Sequence, residues 1–169
     1  GRASERLPPP LFHGRIQDTV TPVIEEKLAA FGMQMAMHVT LADDPNQITA
    51  AIKDMLAQGM DMVVCTGGMS VDPDDQTPLA IKQTGAQMVS YGAPVLPGAM
   101  FLLAYAKDGR PIIGLPGCVM YAKRTIFDLV LPSLAAKVPI APQDLSRLGE
   151  GGLCLNCPVC TFPNCGFGK

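Results

Sequence analysis

Apolar blocks alternate with polar, glycine- and proline-containing segments along most of the chain. Residues 44–59 begin with Asp-Pro, carry apolar side chains at helical spacing and end at a glycine, which predicts a helix. A continuous apolar run at 60–66 follows and predicts a strand covered on both faces. Helix and strand patterns that alternate in this way predict a three-layer α/β/α fold with a mostly parallel sheet.

The same patterns predict the remaining elements. A helix capped by Asp18, Thr19 or Thr21 is expected to end at Phe31, and Pro132 is expected to end the last helix. The other predicted elements are a strand at 34–41, a helix at 78–84, a strand at 87–91, a hairpin spanning 100–114 and a helix at 119–131.

Composition limits the classes of function. The 169 residues carry a net charge of −2 and no cluster of lysine and arginine, which argues against a nucleic-acid partner or a membrane surface. No apolar run approaches the roughly 18 residues of a membrane span. We expect a cytoplasmic protein with a flexible or truncated lead at 1–11, an α/β domain at 12–138, and a linker with a cysteine-rich tail at 139–169.

A glycine pair lies directly behind the predicted strand at 60–66. Gly67 and Gly68 allow a ligand to approach the backbone, and free N–H groups in such a loop suit a phosphate. Three aspartates follow before Thr77-Pro78 opens the next helix, and carboxylates beside a phosphate indicate a bridging Mg²⁺. The alternative is an ordinary turn between strand and helix with solvated acids.

Four of the six cysteines crowd the last 16 residues, at C-x₂-C-x₂-C-x₄-C spacing. Four close thiolates in a reduced compartment predict a tetrahedral Zn²⁺ or a [4Fe–4S] cluster, and the run of three closely spaced cysteines favours iron–sulfur. The alternative is two disulfides or an oxidisable tail. The predicted ligands are Cys154, Cys157, Cys160 and Cys165.

Four segments, in order, resemble the molybdopterin-binding domain family, which includes molybdopterin adenylyltransferase and molybdopterin molybdenumtransferase. Each segment alone is a weak motif, and their order and spacing make the resemblance specific. The first segment, 14–18, begins with a glycine and ends with an aspartate, and the second, 43–45, is Asp-Asp-Pro. The third is the glycine loop with its aspartates at 66–78, and the fourth is the pair of Pro-Gly loops at 96–98 and 114–117.

The resemblance implies a three-layer domain that binds molybdopterin, or its adenylylated form, across these loops. It implies either Mg²⁺-dependent adenylyl transfer from ATP or insertion of molybdate, and a homo-oligomer. By position, Asp43 and Asp75 would be the catalytic acidic pair, with Asp44 close by. The pterin or its phosphate would be held by Thr66, Gly67, Gly68 and Ser70, and the pocket would be bordered by Pro116, Gly117 and Cys118.

The chain also departs from the family pattern. Residues 6–11 contain three prolines where the family has an apolar strand, and Ala99 stands where many relatives carry lysine. These departures favour a non-catalytic molybdopterin carrier or redox sensor, whereas the intact aspartates favour an enzyme. A third reading is an α/β domain that binds another phosphorylated ligand. The sequence leaves these alternatives open.

Overall fold

The computed structural model describes residues 20–69 and 74–169, so the predicted caps Asp18 and Thr19 lie outside the described residues. The longest described helix has 13 residues, and none of those described is long and apolar enough to cross a membrane.

The described elements are α1 (Val20–Ala29), α2 (Pro45–Ala57), β1 (Val63–Thr66), α3 (Thr77–Gln83), β2 (Gln87–Tyr91), β3 (Leu102–Tyr105), β4 (Pro111–Leu115), a 3₁₀ helix (Gly117–Met120), α4 (Ile126–Ala135), α5 (Pro142–Arg147) and a second 3₁₀ helix (Leu148–Gly151).

The four described strands form one open sheet in the order β1-β4-β3-β2. β1 runs parallel to β4, with Val63 opposite Ile112 and Thr66 opposite Leu115. β3 runs antiparallel to both β4 and β2. The predicted α/β fold and the predicted hairpin are therefore confirmed, and the described part of the sheet is mixed, with its parallel pairing confined to β1 and β4.

The sheet separates two apolar clusters, which makes the domain three-layered. Alternate residues of β1 point to opposite faces: Val64 packs with α1 and α4, while Val63 and Cys65 pack with α2 and α3. Burial on both faces explains why β1 reads as an uninterrupted apolar run.

Residues 34–41 are not a strand in this structure, although a strand was predicted there. Gln34 forms an isolated bridge, and the following residues belong to no ladder among the described strands. Burial does alternate along this segment, because Met35, Met37 and Val39 are half-buried while the residues between them are exposed. An alternating pattern indicates which side chains are buried. It does not show that another strand lies alongside to form backbone hydrogen bonds.

The last long helix begins later than predicted. α4 starts at Ile126, because the Thr125 side chain accepts from the backbone of the first turn and Asp128 bonds back to the Thr125 N–H at 2.8 Å. Residues 117–120 form a 3₁₀ helix instead. The helix also continues past Pro132, which lies on its exposed side.

The C-terminal segment packs against the α/β core. The predicted linker contains α5, and Phe167 near the C-terminus is only 4% exposed within the cluster that includes α1 and α4. Leu96, in the loop before β3, donates its N–H to Gly152 and accepts from the Cys154 N–H at 2.9 Å. The segment is thus attached to the core at residues 152–154 and again at Phe167.

A candidate ligand site at one edge of the sheet

Three loops leave the sheet at the same edge. Because β1 and β4 are parallel and in register at Thr66 and Leu115, the segments that follow them emerge side by side. Tyr91 pairs with Leu102, and Leu102 pairs with Gly114, so the loop between β2 and β3 lies at this edge as well. We call the loops 66–69, 92–101 and 116–118 the loop edge.

The first of these loops is held tightly against the start of α3. Gly67 and Gly68 have φ angles of +83° and +57°, which side-chain-bearing residues rarely adopt. The Thr77 hydroxyl donates a hydrogen bond to the Gly67 carbonyl at 2.9 Å, and a Cβ added to Gly68 would lie 2.8 Å from the Thr77 oxygen. Thr66 is buried, and Ser70 lies outside the described residues.

The charges of Asp43 and Asp75 interact near this edge, although the two residues precede different helices. Partial burial is the main cause that raises the pKa of Asp43, and the negative charge of Asp75 adds to it. The pKa of Tyr91, at the end of β2, is raised by the same two causes in the same order. Asp43, Asp75 and Tyr91 therefore share one electrostatic environment, which a cation would stabilise.

Asp44 performs a structural task next to this pair. It is the N-cap of α2, and its carboxylate accepts a hydrogen bond from the Asn46 N–H at 2.9 Å. The structure therefore uses Asp44 to begin the helix that places Asp43.

The loop after β4 forms the opposite border. Pro116 is buried, Gly117 is exposed and Cys118 is half-buried. Burial raises the pKa of the Cys118 thiol, while a backbone hydrogen bond and the nearby charge of Lys27 act in the opposite direction. The neutral thiol that results suits a pocket wall better than a nucleophile.

A buried ion network supports this border, and sequence reasoning did not anticipate it. Asp128 binds the Lys27 ammonium at 2.7 Å and the Arg124 guanidinium at 3.2 Å, and its side chain is only 5% exposed. Lys27 also donates to the Lys123 carbonyl at 3.2 Å. The spacing of Thr125 and Asp128, which is typical of a capping box, was the available signal for this site.

A cavity of about 800 Å³ lies between the loop after β2 and the C-terminal segment. Ala99 lines this cavity, and so do two positively charged residues, Lys123 and Arg124. The cavity walls also include Cys154, Cys157, Cys160 and Cys165.

The predicted metal centre of the tail is not formed in this structure. Across residues 20–69 and 74–169, no group of three or more His, Cys, Asp or Glu side chains is arranged to hold a metal ion. Cys154 and Cys165 pack against the apolar core, whereas Cys157 and Cys160 are exposed. This division between core and surface opposes convergence of the four sulfur atoms on one Zn²⁺ or one cluster.

Comparisons with known proteins place the chain in a family. The family model described as "Probable molybdopterin binding domain" matches residues 4–136. A molybdopterin molybdenumtransferase from Synechococcus elongatus is 27% identical over 105 residues, 62% of this chain and 26% of the relative. A CinA-like protein from Geobacter sulfurreducens is 38% identical over 80 residues, 47% of this chain and 19% of the relative. The chain thus spans about a quarter of the length, or less, of these curated relatives.

Solved structures show the same fold. The molybdopterin biosynthesis enzyme MoaB from Thermus thermophilus superposes with a TM-score of 0.62 at 20% identity, covering 83% of this chain and 97% of that one. CinA from Thermoplasma acidophilum superposes with a TM-score of 0.59 at 18% identity, covering 80% and 96%. The family model matches most of this chain, and the loops after β1 and β4 lie side by side at one edge of the sheet. The chain therefore belongs to the molybdopterin-binding domain family.

Proposed function

We propose that the loop edge binds molybdopterin and that Asp43 and Asp75 use Mg²⁺ there to support adenylyl transfer from ATP. The observation that carries this proposal is the electrostatic interaction between the two carboxylates near the edge where the loops after β1 and β4 begin. Two like charges raise each other's energy, and a divalent cation relieves that repulsion. Two carboxylates together with substrate phosphate oxygens are a usual ligand set for Mg²⁺.

Four residues of the loop edge have a task in the proposed reaction. The loop at Gly67 and Gly68 brings backbone close to the pterin phosphate, and Pro116 and Cys118 border the other side. Bound Mg²⁺ supplies charge neutralisation on the phosphates. A pterin phosphate oxygen then attacks the α-phosphorus of ATP, the bond to the β-phosphate breaks, and pyrophosphate leaves. Such chemistry depends mainly on positioning and on stabilised charge.

The two cations beside Ala99 support an anionic ligand. Lys123 and Arg124 line the cavity next to the loop edge, and many members of the resembled family carry lysine at position 99. The positive charges of residues 123 and 124, which precede α4, would take the place of a lysine at position 99. Molybdate insertion, the other activity of the resembled family, needs the same attraction for an oxyanion.

The test is a titration of the full-length protein with molybdopterin, with and without Mg-ATP, that monitors both binding and release of pyrophosphate. We expect saturable binding and Mg²⁺-dependent turnover. Asp75→Asn is expected to abolish turnover and to retain most pterin affinity. Glu25→Gln, an equal change of charge at an exposed position on α1, is the matched control and should leave both unchanged.

The competing function is a carrier or sensor without catalysis. Binding without pyrophosphate release in the presence of Mg-ATP and molybdate would establish it. A further candidate is a different phosphorylated ligand at the same glycine loop, because the positive φ angles of Gly67 and Gly68 suit close approach of any phosphate. Failure to bind molybdopterin, with binding of another phosphorylated compound that Gly68→Ala removes, would favour that candidate.

A further inference from the structure

Residues 149–167 of the C-terminal segment form one wall of the cavity of about 800 Å³, and they lie beyond residue 136, where the match to the family model ends. This wall is fastened to the loop between β2 and β3. Leu96 of that loop donates its N–H to the Gly152 carbonyl at 2.6 Å and accepts from the Cys154 N–H at 2.9 Å. The cavity is therefore a fixed feature, which a segment outside the family match adds to this chain.

Large apolar side chains line this cavity and are exposed to solvent. Leu96 and Leu153 pair in an isolated parallel β-bridge, so they lie side by side, and they are 56% and 59% exposed. Leu155, which also lines the cavity, is 76% exposed. Exposed apolar side chains that are grouped at one place indicate a binding surface. A ligand with an apolar body would cover these three side chains.

Positive charge exceeds negative charge in the cavity wall. Among the described residues that line the cavity, Lys123 and Arg124 are cationic and Glu150 is anionic. The Ile126 N–H donates a hydrogen bond to the Pro97 carbonyl at 3.1 Å, and this contact fixes the start of α4, with the two cations just before it, against the loop between β2 and β3. The wall therefore attracts a negatively charged group.

Arg124 is held in place on two sides and still has an unused donor. Its guanidinium lies 3.2 Å from Asp128 and 4.7 Å from the centre of the Phe162 ring. Its Nε atom is buried and has no hydrogen-bond partner among the described residues. A buried N–H without an acceptor destabilises the free protein, and a ligand oxygen that reaches Nε after a small shift of the Phe162 ring removes that cost. This unused donor indicates a bound anion.

We propose that the cavity binds a small organic anion, with its negative group at Lys123 and Arg124 and its apolar ring or chain on the three exposed leucines. The cavity has the volume of small-molecule sites, which are mostly apolar with a few well-placed polar groups. The site adjoins the loop edge through the loop between β2 and β3. The two sites share the same cations, and in that respect alone the second site rests on the proposed function. Its ligand binds in the absence of molybdopterin.

The experiment is a calorimetric titration of the reduced full-length protein, without molybdopterin, using 2-naphthalenesulfonate in one arm and octanoate in the other. We expect saturable binding at one site, and the arm with the higher affinity shows whether the apolar body is a ring or a chain. Two further compounds separate charge from apolar contact. 2-Naphthol keeps the ring without the charge, inorganic sulfate keeps the charge without the ring, and each should bind at least about tenfold more weakly.

Variants test the position of the site. Lys123→Gln should weaken binding of the organic anion about tenfold, as expected for loss of one charge-assisted contact. Lys53→Gln, at an exposed position on α2, is the matched control and should bind like the wild type. Gly166→Leu should also weaken binding, because Gly166 lines the cavity and a Cβ added to it meets no atom within 4 Å, so the larger side chain fills space without a clash. Thermal unfolding of each variant checks that the fold is retained.

Three results would overturn this second site. One is a wild type that shows no saturable binding of either organic anion. Another is 2-naphthol or sulfate binding as tightly as the organic anions. The third is unchanged binding in both Lys123→Gln and Gly166→Leu. Molybdopterin binding and turnover in a protein that fails these tests would overturn the second site alone, whereas organic-anion binding in a protein that does not bind molybdopterin would overturn the proposed function alone.

Discussion

The Thr77 hydroxyl donates a hydrogen bond to the Gly67 carbonyl at 2.9 Å, and this contact joins the glycine loop after β1 to the first residue of α3. Thr77 is 1% exposed, so the carbonyl has its partner in a place that little water reaches. The loop and the helix start therefore form one unit. Changes on either side of this hydrogen bond should alter ligand binding at the loop edge.

Gly68→Ala should weaken ligand binding at the loop edge. The new Cβ would lie 2.8 Å from the Thr77 oxygen, and the φ of +57° is strained for alanine. We expect a lower unfolding temperature together with a reduced affinity for molybdopterin. Gly32→Ala is the control, because its φ of +72° imposes similar strain while nothing lies within 4 Å of the new Cβ. If both variants bind equally well, the close contact has no role in binding.

Asp43→Asn should remove a pH dependence of stability. The pKa of Asp43 is raised above 3.8 in the folded protein by burial and by Asp75, so its proton is held more tightly in the folded state. Its contribution to stability is therefore full below pH 3.8 and is lost as pH rises through the raised value. In chemical denaturation from pH 3 to pH 7, the stability of the wild type should fall relative to that of Asp43→Asn as the pH rises. A constant difference between the two proteins would contradict the coupling.

Asp128→Asn should destabilise the fold strongly. The substitution leaves the Lys27 ammonium, whose side chain is 13% exposed, without its buried partner. Breaking such a pair costs about 3–5 kcal/mol, and we expect a change of that order in the free energy of unfolding. Asp144→Asn is the control, because Asp144 is exposed and its ion pair with Arg147 is long at 3.8 Å. Its effect should stay below about 1 kcal/mol.

Phe167→Ala should show that the C-terminal segment is part of the folded domain. Phe167 is almost fully buried, and truncation of such a ring costs about 3–5 kcal/mol. Denaturant unfolding should remain a single transition with a lower midpoint. Val159→Ala in the same segment changes a side chain that is 77% exposed and should leave the midpoint unchanged. A small effect of Phe167→Ala would mean that the segment is docked only weakly.

Local signals were enough for several elements. The Asp44-Pro45 start of α2, the apolar run of β1 and the Asp108-Gly109 hairpin were all legible, because each depends on residues that are neighbours along the chain. The start of α4 was misplaced because apolar residues at 119–120 suggested an earlier start, whereas the reciprocal bonds of Thr125 and Asp128 fix it at Ile126.

Other features depend on contacts between distant segments, and no local pattern reveals those. The tail cysteines suggested a metal site from their spacing alone. In the folded chain, Phe167 is buried in the core, and two of the tail thiols are half-buried while the other two are exposed. The network of Lys27, Arg124 and Asp128 likewise joins two helices that are far apart along the chain.

The sequence by itself determined the α/β class, the family and the glycine loop, because these follow from short-range periodicity and from motifs in a fixed order. Only the tertiary structure decided which charges meet. The parallel register of β1 and β4 gathers the loops at one edge, where the charge of Asp75 acts on Asp43. The packing of α1 against α4 brings the Lys27 ammonium within 2.7 Å of Asp128. Electrostatic coupling depends on distance in space, and distance in space is set by packing.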